Sequence, residues 1–195
     1  QLVLTGALDA VGEPIRTNSG DSYRFGLEVD AAIQLSDQWV WQSNMALSTN
    51  KNKNFYFRKN GIQQNLGKTN ISYAPSVIAA SNLVYSPSTV FRIALLTKYV
   101  GEQYMGNIDA ALSKLESYFT NDTNISYVWI PDSWIKEVQF SLLINNIFDK
   151  KYSSNGFFYF YDDDSSTPGE VVTIEGVGYY PQAGTNFLLG ATFKF

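Results

Sequence analysis

Residues 185–195 read Thr-Asn-Phe-Leu-Leu-Gly-Ala-Thr-Phe-Lys-Phe, and the environment assigned to this stretch decides the fold of the whole chain. In extended backbone, successive side chains point to opposite faces. Phe187, Leu189, Ala191, Phe193 and Phe195 therefore share one face, and Leu188, Gly190, Thr192 and Lys194 the other. The first face is apolar and the second mostly small or polar. A soluble sandwich would turn the apolar face toward a protein core, whereas a transmembrane barrel would turn it toward lipid. Alternation alone does not say which face is wet.

The preceding segments repeat the pattern. From Tyr23 to Leu35 the residues Tyr23, Phe25, Leu27, Val29, Ala31, Ile33 and Leu35 oppose Arg24, Gly26, Glu28, Asp30, Ala32 and Gln34. Comparable alternation runs through residues 39–48, 72–85, 91–99, 117–129 and 138–146, and residues 1–7 add a short apolar segment. Most of these eight candidate strands approach the roughly 9–11 residues that a tilted strand needs to cross a bilayer. The connections at Asp37, Pro87 and Pro131 are short, and those around Gly12, Asn52, Gly106 and Ser165 are long and polar. Within residues 101–114, Ile108 and Leu112, with Leu115 just beyond, have helical spacing, so one or two helical turns stand as an alternative to a plain loop.

Aromatic residues sharpen the environment. Trp39, Trp41, Trp129 and Trp134 cluster at short turns, and Tyr85 and Phe91 flank the third. Tyr23, Tyr99, Tyr104, Tyr118, Phe148 and Tyr152 gather at the opposite strand ends. Two aromatic belts with aliphatic residues between them are what a bilayer selects, because amphipathic rings settle at its interfaces. The fold class expected is all-β: an antiparallel up-and-down transmembrane β-barrel portion of about eight strands, with short periplasmic turns and long outer loops. Lipid is then the partner of the apolar face, and parity places the carboxyl terminus in the periplasm of a Gram-negative cell.

Composition removes several function classes. The 195 residues contain no histidine and no cysteine, which excludes a Ser-His-Asp triad, a thiolate nucleophile and a His-ligated metal within the chain. An enzyme would have to work through carboxylates, Lys or Tyr, so none is expected. The net charge of -4 offers no basic surface for nucleic acid. No run reaches the roughly 20 apolar residues of a transmembrane helix, and no signal peptide is visible. Because Gln1 opens directly into strand-like sequence, the expectation is a fragment or a processed chain.

Three segments carry a family resemblance. Lys98-Tyr99-Val100-Gly101-Glu102-Gln103-Tyr104 with Asn107, Asn145-Asn146-Ile147-Phe148-Asp149-Lys150-Lys151-Tyr152, and Tyr180-Pro181-Gln182-Ala183-Gly184-Thr185-Asn186-Phe187 resemble segments of TonB-dependent outer-membrane receptors. The likeness reaches from about Lys98 to Phe195; the first half matches only in strand pattern. It implies that residues 1–195 form the C-terminal segment of such a receptor's barrel, without its plug and N-terminal strands. Family barrels have about 22 strands around a plug. The implied function is TonB-energised import of a scarce nutrient, such as an iron chelate, cobalamin or an oligosaccharide. The implied partners are the receptor's own plug, the TonB complex, the barrel-assembly machinery and a small-molecule or glycan ligand; no cofactor is implied. A complete eight-stranded barrel serving as anchor or adhesin is the alternative.

Candidate residues follow from this placement. Gly190, Phe193 and Phe195 match the terminal signal presented to the assembly machinery. Arg24, Glu28, Asp30, Arg92, Lys98, Gln139 and Lys194 fall on the inward face, where they contact the plug or simply supply lumen polarity. Asp162, Asp163 and Asp164 form an acidic loop tip that lacks the spacing of a calcium loop, so no metal is expected. The run Phe157-Phe158-Tyr159-Phe160-Tyr161 either extends a hairpin beyond the membrane or offers stacking platforms for a sugar.

Overall fold

The computed structural model describes residues 2–8, 11, 13–18, 20–132 and 134–195. In chain order its strands are β1 (Leu2–Leu8), β2 (Pro14–Asn18), β3 (Ser22–Gln34), β4 (Trp39–Asn52), β5 (Tyr56–Lys59), β6 (Ile62–Asn65), β7 (Thr69–Asn70) and β8 (Val77–Tyr85). They continue as β9 (Phe91–Val100), β10 (Gln103–Tyr104), β11 (Lys114–Leu115), β12 (Tyr118–Trp129), β13 (Glu137–Asn145), β14 (Ser153–Asp163), β15 (Val172–Pro181) and β16 (Asn186–Lys194). The principal sheet has the order β16-β13-β12-β9-β8-β4-β3, with the two-residue β7 added beside β4. All its pairings are antiparallel, giving the up-and-down meander expected.

Register holds the two faces apart across the whole sheet. One row runs Trp39, Tyr85, Ile93, Ile125, Leu142, Leu189 over six strands. A row on the other face runs Asp30, Asn44, Ala80, Lys98, Thr120 over five. Because a slip of one residue would exchange the faces, this alignment requires the alternation in every strand to be in phase. The apolar face stays uncovered: Phe25, Phe187 and Leu189 are each about three-quarters exposed. A sandwich would bury that face under a second sheet, and no described element lies over it.

The buried apolar clusters sit beyond the wall, among the long connections. Phe55 and Phe57 pack with Leu66, Ile108 and Phe160. Met105, Leu115 and Phe158 pack with Ile108, Ala110, Phe160 and Val177. Three of these connections are hairpins: β5 with β6, β10 with β11, and β14 with β15.

Several expectations change here. The segment near residues 1–7 is a strand, but β1 pairs with β2 instead of joining the wall, so among the described residues seven long strands form the wall and the long connection around Gly12 contains β2. Alternation marks a strand without naming its partner. The strand expected over 72–85 begins at Val77, because Tyr73 adopts a left-handed φ of 51° and Pro75 has no N–H for a ladder. The helical spacing in 101–114 yields only one 3₁₀ turn, Ala111–Ser113.

Candidate functional site

The residues expected on the inward face do share one face. Arg24 stands opposite Asn50, Glu28 opposite Ala46 and Asp30 opposite Asn44. Arg92 stands opposite Ser126, Lys98 between Ala80 and Thr120, and Gln139 between Val128 and Thr192. Lys194 lies across from Glu137, and its Nζ meets Glu137 Oε1 at 2.7 Å. The structure does not gather these seven into one cluster. Only Asp30 and Lys98 line the recess of about 600 Å³ on this face, together with Gln42, Asn44, Asn82 and Asp122. Those side chains come from five adjacent strands, so the sheet bends toward this face. Ala32 and Ala80 supply the space by being short.

Gly190, Phe193 and Phe195 lie on β16 and just after it. A Cβ at Gly190 would stand 2.7 Å from Ser141 Oγ. Phe193 pairs with Val138 and is exposed, whereas Phe195 stacks on Trp134 at 5.0 Å between ring centroids.

The polar residues doing most of the local work were quoted in the sequence motifs without a role. Asn146 is buried and has a φ of 48°, a left-handed conformation that asparagine tolerates better than most residues. Its Nδ2 donates to the carbonyls of Lys150 (3.0 Å) and Ala183 (3.1 Å), and its Oδ1 accepts from Lys150 N (2.9 Å). Asn146 N donates to Asp122 Oδ1, and Thr185 Oγ1 donates to the Asn146 carbonyl, both at 2.7 Å. One side chain thus ties the end of β13 to the start of β16. Asn107 does the same elsewhere, its Oδ1 accepting from Ser72 N at 3.0 Å, while Asp109 holds both the N–H and the side-chain amide of Asn70. The available signal was polar residues at fixed offsets inside otherwise apolar motifs.

The acidic tip is absorbed by turns. Asp162 accepts from Gly61 N at 2.9 Å and from the Thr173 hydroxyl, with Arg58 Nε 3.6 Å away. The Thr173 hydroxyl, more than any other group, holds the Asp162 carboxyl below its ordinary range. Asp163 accepts from Ser165 N, Ser165 Oγ and Ser166 N, and its pKa is lowered to about 2, chiefly by hydroxyl donation from Ser166. Among the described residues no group of carboxylates is placed to hold a metal ion.

A meander of long strands, apolar on one face and polar on the face it bends toward, with its buried apolar clusters in the long connections, has the architecture of a stretch of transmembrane β-barrel wall. Solved structures agree. The chain matches the siderophore receptor PiuA from Acinetobacter baumannii with a TM-score of 0.65 and 17% identity, over 99% of this chain and 24% of that one. It matches the ferric-catecholate import receptor Fiu from E. coli K12 with a TM-score of 0.61 and 18% identity, over 94% and 22%. The copper transporter OprC gives a TM-score of 0.60 and 19% identity, over 100% and 26%. No family model and no curated protein sequence matches the chain. The shared fold is that of part of the barrel of these TonB-dependent receptors, and this chain spans about a quarter of the length of these neighbours.

Proposed function

We propose that the chain is the C-terminal part of the barrel wall of a TonB-energised importer in the outer membrane of a Gram-negative cell, taking up a scarce nutrient such as an iron chelate, cobalamin or an oligosaccharide. The observation that carries this reading is the pair of free edges. β3 and β16 end the sheet without pairing to each other, yet both are long and carry the same lipid-type face. Such edges invite further strands. Seven long wall strands among the described residues also fit poorly with a closed single-chain barrel, because bacterial barrels have even strand numbers. This weighs against the small anchor or adhesin. In the longer wall, Arg24, Glu28, Asp30, Arg92, Lys98, Gln139 and Lys194 face the lumen and its plug, the carboxyl terminus lies in the periplasm, and Gly190, Phe193 and Phe195 address the assembly machinery. The neighbours are a siderophore receptor, a ferric-catecholate import receptor and a copper transporter, which supports import of a chelate or metal without fixing the cargo.

The test is nutrient accumulation by paired cells with and without functional TonB. Accumulation should require both this protein and TonB, and Arg24→Glu or Arg92→Glu should change its rate. Equal accumulation in the two strains sinks the import reading, and unchanged kinetics in both variants sinks the lumen assignment.

A further inference from the structure

The hairpin of β14 and β15 carries an arrangement that barrel construction does not explain. On one face, Phe158 and Phe160 enter the loop clusters with Met105, Leu115 and Phe57 and hold the hairpin in place. On the other, Phe157, Tyr159 and Tyr161 form a row with about half of each residue exposed. Their rings are parallel to within 13°, with centroids 6.3 and 6.5 Å apart. The cross-strand partners of Phe157 and Tyr159 are Gly178 and Gly176. A Cβ at Gly176 would fall 2.2 Å from Tyr159 Cζ, and one at Gly178 would fall 2.4 Å from Phe157 Cε1. The rings lean into the space those two missing side chains leave, so the glycines are what permits the row.

We infer that this row is a binding platform for a linear, neutral oligosaccharide outside the membrane. Sugar rings present C–H groups with partial positive charge, which pack against the electron-rich faces of aromatic rings. A row of parallel rings suits successive units of a chain, whereas a cage for a single cation would converge its rings on one point. Charge argues against an anionic chelate: residues 152–182 contain Asp162, Asp163, Asp164, Glu170 and Glu175 and no Lys or Arg. Asp163 falls on the same face at the end of the row, where the Ser165–Ser166 turn holds its carboxylate. The inference rests on the hairpin and not on import, since such a platform would hold a glycan whether or not the receptor transports it.

The experiment titrates the intact receptor in detergent micelles with linear neutral hexasaccharides, α- and β-linked, of glucose, mannose and xylose, with a ferric tris-catecholate as the anionic comparison. At least one neutral probe should bind. Tyr159→Ala should weaken its binding about three- to tenfold, the worth of one aromatic stacking contact. Tyr159→Phe should bind as the parent does. Gly176→Ala, which keeps the ring but displaces it, should weaken binding as the truncation does. Heat-modifiable gel mobility establishes that each variant is folded. Should Tyr159→Ala fail to fold, Tyr159→Trp keeps a platform, and its fluorescence should change as the sugar is added. Absence of binding by every neutral probe, tighter binding of the catecholate through the same residues, or unchanged sugar affinity in folded Tyr159→Ala and Gly176→Ala overturns the inference. Failure of TonB-dependent uptake alone leaves this binding result standing and strikes only the import reading.

Discussion

Replacing Asn146 should open the junction between β13 and β16, and the size of the effect can be worked from its contacts. Asn146→Ala deletes three hydrogen bonds, two donated by Nδ2 and one accepted by Oδ1. Each contributes about 1 kcal/mol net in an ordinary setting. Lys150 and Ala183 are exposed, so their freed groups regain water and the three together cost nearer 2 kcal/mol than 3. Alanine must also adopt the left-handed φ of 48°, adding about 1 kcal/mol. The expected total is about 3 kcal/mol, or roughly a hundredfold in a local opening equilibrium. Hydrogen exchange of the Lys150 amide in the intact protein reads this directly, because that N–H is held by Asn146 Oδ1. Asn146→Gly removes the same bonds without the backbone penalty and should lose about 1 kcal/mol less. Asn146→Asp keeps the acceptor but turns a carboxylate toward two carbonyls, and should be the worst of the three. The reasoning fails if Asn146→Ala exchanges within about 0.5 kcal/mol of the parent. It fails equally if the glycine variant is no better than the alanine one.

Two further outcomes follow from the loops and the terminus. Asp162 latches the tip of β5–β6 to β14–β15 and has a depressed carboxyl pKa, so its contribution is complete above the ordinary carboxylate range and is lost as pH falls through the depressed value. Exchange protection at Gly61, corrected for intrinsic rate, should stay flat from neutral pH down to the ordinary range and fall below it; a loss already under way near pH 5 contradicts the latch. Phe195→Ala should lower the assembled fraction in cell envelopes several-fold while changing the stability of assembled protein by about 0.5 kcal/mol or less, because the ring is mostly exposed beside its stack on Trp134. Equal assembly of parent and variant, measured by heat-modifiable mobility, removes the signal role.

The wall was legible in the sequence because lipid imposes a period. From Tyr23 to Gln34 every second residue on one face is apolar or aromatic, and the strand found there is thirteen residues long, as the alternation requires. The turns at Asp37 and Pro87 were equally plain. What escaped was pairing between segments distant in sequence. Leu2 to Leu8 is apolar enough to read as a strand, yet its partner is Pro14 to Asn18, and nothing in a single strand's pattern identifies its neighbour. The long connection around Ser165 was rich in Gly, Ser and Asp and looked like loop apart from its aromatic run, but ten residue pairs join across a hairpin there. The inward-facing charges were placed on the right face by parity. Parity could not show that Lys194 is bound to Glu137 or that only Asp30 and Lys98 reach the recess, since both depend on how the sheet bends and where long side chains end.

The distribution of burial explains why the most specific motifs lie where they do. A wall residue such as Leu189 satisfies its environment by being apolar, and several residue types do so equally well, so pattern specifies a wall strand more than residue identity does. Outside the bilayer no lipid covers the loops, and their apolar side chains must cover one another, as Phe158, Met105 and Leu115 do. Ordering such loops costs backbone entropy, which local hydrogen bonds with few alternatives help to offset. Asn146 in a left-handed turn, Asp109 gripping both donors of Asn70, and Asn107 on Ser72 are bonds of this kind. The motifs around Asn107 and Asn146 therefore mark the points where wall strands hand over to packed loops. The aromatic row on β14 differs from them: it lies on the face of the hairpin opposite Phe158 and Phe160, outside the two loop clusters.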